Sequence, residues 1–146
     1  MATIASDKNK AYKVIDEIPS VNDSTSIYSY ISTRTIDNRY IKILDEIANV
    51  NESTISNWLN ITTKTFRNYK NKESHLKGNT KEHIVSLLSL YKHGFDVFES
   101  QENFEKWLTS NNYMLDNKAP MDFLDTISGI RFIDDRLTAM EFGENV

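Results

Sequence analysis

Cysteine is absent from the 146 residues, which rules out disulfides and thiolate metal sites and removes any need for an oxidising compartment. Only 4 glycines and 2 prolines interrupt the chain, too few for a turn-rich β-sandwich or barrel, and strict apolar–polar alternation is rare. No window approaches the roughly 20 apolar residues of a membrane span. The opening MATIASDKNKAYKVIDEIPS carries charges every few positions, where a signal peptide needs an unbroken apolar stretch. A cytoplasmic protein without membrane attachment is therefore expected. His75, His83 and His93 are too scattered to form a metal site. Asp122 with Asp125, and Asp134 beside Asp135, fall on helical faces expected to be exposed, with no nucleophile and no strand-turn-helix context nearby. Neither enzymatic turnover nor a cofactor is expected.

What is present is helical spacing. A hydrophobic fraction of 39% supports one domain, or two small ones sharing a core, and the fold class is all-α. Residues 1–26 are polar, broken at Pro19-Ser20 and ending near the run NDSTS; they are expected to be a mobile N-terminal arm. From Asp37 onward Ile41, Leu44, Ile47 and Ala48 make one apolar stripe, and a second helix begins near Ser53 with Ile55, Trp58 and Leu59. A break at Asn60-Ile61-Thr62 leads to a third helix capped by Thr62 or Thr63. The stretch NTKE, Asn79 to Glu82, reads as a capping-box variant opening a long helix to about Phe98. On that helix Ile84, Leu87, Leu88, Tyr91, Phe95 and Phe98 fall within an arc of roughly 100°. Ser100 caps a short helix with Phe104, Trp107 and Leu108, and Ala119-Pro120 places proline at a first helical position. Thr126 caps a last helix whose Ile127, Ile130, Ile133, Leu137 and Met140 share a face, and Gly143 fits its C-terminal cap.

Charge is unevenly divided. Met1 to Gly78 holds 11 basic and 9 acidic residues, a balance of +2, whereas Asn79 to Val146 holds 6 and 12, a balance of −6. The basic excess concentrates at Lys64, Arg67, Lys70, Lys72 and Lys77, where Glu73 is the only nearby acid. Ile55, Leu59, Ile61, Phe66 and Tyr69 take inward positions of a helix-turn-helix, with small Ser56 at the helix crossing. Asn60 stands at the turn, where glycine is usual but asparagine tolerates left-handed geometry. The outward face then presents Thr63, Lys64, Arg67, Asn68, Asn71 and Lys72. Arg and Lys reach guanine edges or phosphates, and Asn can pair with adenine; a solvated surface helix carries the same residue types. A pI near 5.4 works against DNA binding by a monomer, so a homodimer or larger complex is implied.

The segment from Leu87 to Gly143 resembles the toxin-binding domain of the Xre/MbcA/ParS antitoxins. The resemblance is carried by Asp96-Val97-Phe98, Trp107-Leu108, Asn112, Leu115, Ala119-Pro120, Phe123-Leu124, Ser128-Gly129 and Met140-Glu141-Phe142-Gly143. The upstream helix-turn-helix matches the Xre-like domain of the same family. The resemblance covers about Ile36 to Val146 and has no counterpart for the arm over 1–26; behind that arm a helix-turn-helix DNA-binding domain over 27–78 and a toxin-binding domain with tail over 79–146 are expected. The resemblance further implies an antitoxin of a type II toxin–antitoxin system that inhibits a RES-domain, NAD-consuming toxin and represses its own operon at operator DNA. The toxin-contacting residues it implies are Trp107, Arg131, Phe132, Arg136, Phe142, Gly143, Glu144, Asn145 and Val146. Read from the residues alone, Phe132 with Ala139, and Leu90 with Val97 near Gly94, form secondary stripes that either face partners or pack inside the bundle. The competing reading of the whole chain is a stand-alone helix-turn-helix regulator whose C-terminal half only dimerises.

Overall fold

The computed structural model describes residues 13–72 and 76–143. The fold is all-α, as expected. After a helical turn at residues 13–16 come α1 (Ser24–Thr33), α2 (Asn38–Ala48), α3 (Glu52–Leu59), α4 (Thr63–Asn71), α5 (Gly78–Phe98) and α6 (Gln101–Thr109). Two 3-10 turns, Tyr113–Leu115 and Pro120–Phe123, then lead into α7 (Ile127–Glu141).

Local chemistry starts most of these helices. Asp23, Asp37, Asn51, Thr62, Ser100 and Thr126 each accept a backbone N–H in the first turn of the helix that follows, satisfying donors that a helix end leaves orphaned. Helix α3 begins at Glu52 behind its cap Asn51, close to the expected start near Ser53. The expected box at NTKE does not form: α5 starts at Gly78 behind Lys77, which makes no side-chain cap, and the Asn79 side chain instead accepts from the Thr80 N–H at 3.0 Å.

Helix α5 is the spine. Every residue from His83 to Tyr91 is buried, the mark of a helix packed on all sides. Helices α1, α2, α3, α6 and α7 all contact it. Leu90 is completely buried and Val97 is half-buried against the core, so neither forms an open stripe. A Cβ on Gly94 would collide with the Phe104 ring; this glycine admits α6 of the same chain, not a helix from outside.

The expected mobile arm is corrected from residue 13 onward. Ile15, Ile18 and Val21 are each at most 2% exposed, contributions of about 1.5–3 kcal/mol apiece. The Ser89 hydroxyl donates to the Pro19 carbonyl at 2.8 Å, Lys92 donates to the carbonyls of Asp16 and Ile18 at 3.0 Å, and Arg131 Nε donates to that of Val21 at 3.3 Å. The segment is thus strapped over α5 and α7.

A single cluster of buried residues runs from Ile15 to Leu137. Polar ties add to it across the chain: Trp58 Nε1 donates to the Met121 carbonyl at 3.1 Å, Asn60 Nδ2 to that of Asp125 at 2.9 Å, and His83 Nε2 lies 2.8 Å from that of Leu124. The first half and the last quarter therefore share one interior.

Candidate functional site

Two surfaces carry the residues singled out from the sequence. The first is the α3–turn–α4 unit. Asn60 adopts φ 58° and its N–H bonds back to the carbonyls of Asn57 and Ser56, the left-handed turn that glycine usually supplies. Ile55, Ser56, Leu59 and Phe66 are buried, while Ile61 and Tyr69 are half-buried. Outward stand Lys64, Arg67, Asn68, Asn71 and Lys72, all exposed, with Thr63 half-buried.

Those outward cations are not all free. Arg67 Nε lies 2.6 Å from Glu52 Oε2, and Lys70 Nζ lies 3.2 Å from both Glu52 Oε1 and Asp45 Oδ2. Hydrogen bonds from Arg67 and then Lys70 hold the Glu52 carboxyl below the usual carboxylate range. Glu52 was not singled out in the sequence. It sits 15 positions before Arg67, and only the packing of α4 against α3 across the Asn60 turn brings the two together.

The second surface is the outer face of α7. At 100° per residue Phe132, Asp135, Arg136, Ala139 and Phe142 fall within roughly 120°, opposite the buried Ile130, Ile133, Asp134 and Leu137. Phe132 is 42% and Phe142 77% exposed; Arg136 and Ala139 are half-buried. The Phe123 ring lies 5.4 Å from that of Phe132, so the second 3-10 turn extends the apolar face. Gly143 follows with φ 77°, closing α7 as its spacing predicted.

Other expected contact residues lie elsewhere. Arg131 is about 100° around the helix from Phe132 and is committed to the Val21 carbonyl. Trp107 is half-buried in a row of rings, 5.7 Å from Phe98 and 6.2 Å from Phe104, with its indole N–H buried and unpaired. Glu144, Asn145 and Val146 lie outside the described residues.

A polar network joining the N-terminal segment, α5 and α7 corrects one expectation. Asp134, expected on an exposed face, is 2% exposed. Its carboxylate accepts from Asn22 Nδ2 at 2.6 Å and lies 2.6 Å from His93 Nδ1, while His93 Nε2 meets Glu141. The bond to Asp134 pushes the His93 pKa up against the opposing effect of burial, whereas burial pushes that of His83 down. Asp122 accepts the Ala119 N–H at 3.1 Å and so serves a turn. Among the described residues no group of three or more His, Asp or Glu could hold a metal ion, and no helix is long and apolar enough to cross a membrane.

The exposed Tyr113 and Met114 also escaped the sequence reading. Their signal was the turn-forming frame around them, Asn112 before and Asp116-Asn117 after.

Residues 93–143 match the model of the antitoxin Xre/MbcA/ParS C-terminal toxin-binding domain. The matched stretch runs from His93, midway along α5, through the outer face of α7 to Gly143. This stretch is similar to that domain, in agreement with the resemblance read from the sequence, and the match supports an antitoxin role. No curated protein matches the chain.

Proposed function

We propose that this chain is the antitoxin of a type II toxin–antitoxin pair, silencing a RES-domain, NAD-degrading enzyme by covering its active site and repressing their shared operon through α4. The observation that carries the reading is the match over residues 93–143, coinciding with an α7 face that leaves Phe132 and Phe142 open to solvent. Phe132 and Phe142 on one helix face, extended by the Phe123 ring, make an apolar surface of the kind a partner covers. An enzyme that binds NAD needs cations to hold its phosphates. The balance of −6 in the rear half is the complementary field, steering that half toward the pocket mouth. Inhibition of this kind is stoichiometric, not catalytic.

The front surface supports the second activity. A capped turn at Asn60 and an outward row of Lys64, Arg67, Asn68, Asn71 and Lys72 suit a major-groove helix. The pairing of Arg67 and Lys70 with Glu52 lowers its positive potential, so operator binding calls for two copies on paired half-sites, as in a dimer or a larger complex with the toxin.

Co-expression with the product of the adjacent gene tests the reading. The wild-type chain is expected to co-purify with that enzyme and abolish its NAD consumption. A chain ending at Glu141 should leave NAD consumption substantially restored. Failure of the wild-type chain to bind the neighbouring gene product would refute the antitoxin role and favour a stand-alone regulator.

A further inference from the structure

Of the five large hydrophobic side chains exposed among the described residues, Tyr28, Tyr113, Met114, Phe132 and Phe142, four lie within the 93–143 match. Two of these four, Phe132 and Phe142, belong to the α7 face. The other two are neighbours in sequence on the turn that joins α6 to Pro120–Phe123. Tyr113 is 85% and Met114 55% exposed, and no intramolecular role accounts for either.

That turn is tightly held. The Asn112 N–H donates to the Lys118 carbonyl, and the N–H groups of Leu115 and Asn117 both donate to the Asn112 carbonyl, each at 3.0 Å. The Asn112 side chain accepts the Met114 N–H at 2.9 Å. Asp116 and Asn117 both take left-handed φ values, 55° and 61°, an arrangement that costs energy outside glycine and persists here because the surrounding bonds enforce it. Leu115 is buried beneath as an anchor. The backbone is thus ordered before any encounter, so a contact made by Tyr113 and Met114 loses little conformational entropy. Tyrosine and methionine are residue types enriched at interfaces, and tyrosine is among those that dominate binding energy.

We infer that the Tyr113–Met114 turn is a second docking point for the partner enzyme, gripping its surface away from the active-site mouth. This rests on the antitoxin reading above. Location favours the enzyme over a second copy of this chain: the exposed apolar side chains concentrate in the toxin-binding match. The turn also continues into Pro120–Phe123, whose Phe123 touches Phe132 of the α7 face. The two contacts do different work. The α7 face and tail block turnover, and the turn lengthens the life of the complex.

The test uses the full chain carrying Tyr113→Ser and Met114→Ser together, with the product of the adjacent gene as probe. Dissociation constant, residual NAD consumption at saturating antitoxin, and self-association by sedimentation are measured alongside wild type. The expected result is affinity weakened by about tenfold or more, with inhibition still complete at saturation and self-association unchanged. Met114→Gln alone should fall between the two. Both positions are exposed, so an unaltered melting temperature verifies the fold. Unchanged affinity overturns the inference while leaving the antitoxin role intact. Loss of self-association with enzyme affinity retained overturns it in favour of a homodimer contact. A wild-type chain that neither binds nor inhibits the enzyme removes both readings together.

Discussion

Replacing His93 with leucine removes the group that joins α5 to α7 through two carboxylates. Asp134 is 2% exposed and draws on two side-chain partners, Asn22 and His93, each at 2.6 Å. Losing one charge-assisted bond while the other persists costs about 1.5–3 kcal/mol, which for a chain of this size lowers the melting temperature by roughly 5–10 °C. The effect depends on pH in a definite sense. The folded state raises the His93 pKa above its ordinary 6.5, so folded protein holds this proton more tightly than unfolded chain. The resulting stabilisation is fully present below pH 6.5 and declines as pH rises through the folded pKa. His83 runs the other way. Burial lowers its pKa, so stability falls as pH drops below 6.5 and the unfolded imidazole takes up a proton that the buried one refuses. Thermal or urea unfolding of wild type and His93→Leu from pH 5.5 to 8.5 isolates the first effect by difference. The gap between them should be widest at the acid end of the range and narrow toward pH 8.5, keeping the part owed to a neutral imidazole N–H on Asp134. A gap independent of pH would show that the His93 proton is not shared with the carboxylates, and the reasoning would fail.

Gly129→Ala should destabilise the fold by about 1–3 kcal/mol in thermal melts, because the new Cβ would collide with the Phe123 carbonyl; an unchanged melting temperature would contradict that contact. Ile18→Ala should cost about 2–5 kcal/mol in urea unfolding if the strap over α5 is part of the core, whereas a detached arm would register almost nothing. Arg67→Ala is expected to weaken operator binding by roughly 1–3 kcal/mol without changing toxin capture; equal loss on random DNA would assign Arg67 to phosphate instead of a base. Glu52→Gln frees Arg67, while Lys70 keeps its pairing with Asp45, and should tighten DNA binding about fivefold at low salt with a steeper salt dependence; unaltered affinity would show that Glu52 does not mask Arg67.

Features set by near neighbours were legible in the sequence. Thr62, Ser100 and Thr126 cap the helices they were expected to cap, because the chemistry needs only the next three residues. Asn60 turns left-handed where the spacing demanded it. The central arc of α5 is buried as its periodicity required, and the resemblance over the last third is matched by the family model. What escaped depends on distant partners. Residues 13–22 look too polar to pack until Ser89, Lys92 and Arg131 arrive from 70 to 110 positions away to take their carbonyls. Arg67 reads as a free cation because Glu52 reaches it only after α4 packs against α3. Asp134 was half visible, since it shares an arc with Ile130 and Leu137, but a carboxylate there makes sense only once His93 and Asn22 face it. The capping box at NTKE failed because α5 is held by burial on every side and needs no side chain to start it.

Helix α5 packs against α1, α2 and α3 as well as α6 and α7, so on the proposed function one interior underlies both DNA binding and enzyme capture. On that proposal, a proteolytic cut that opens the shared interior would end both activities in one event, so the lifetime of a single hydrophobic interior would time derepression and the return of enzyme activity together.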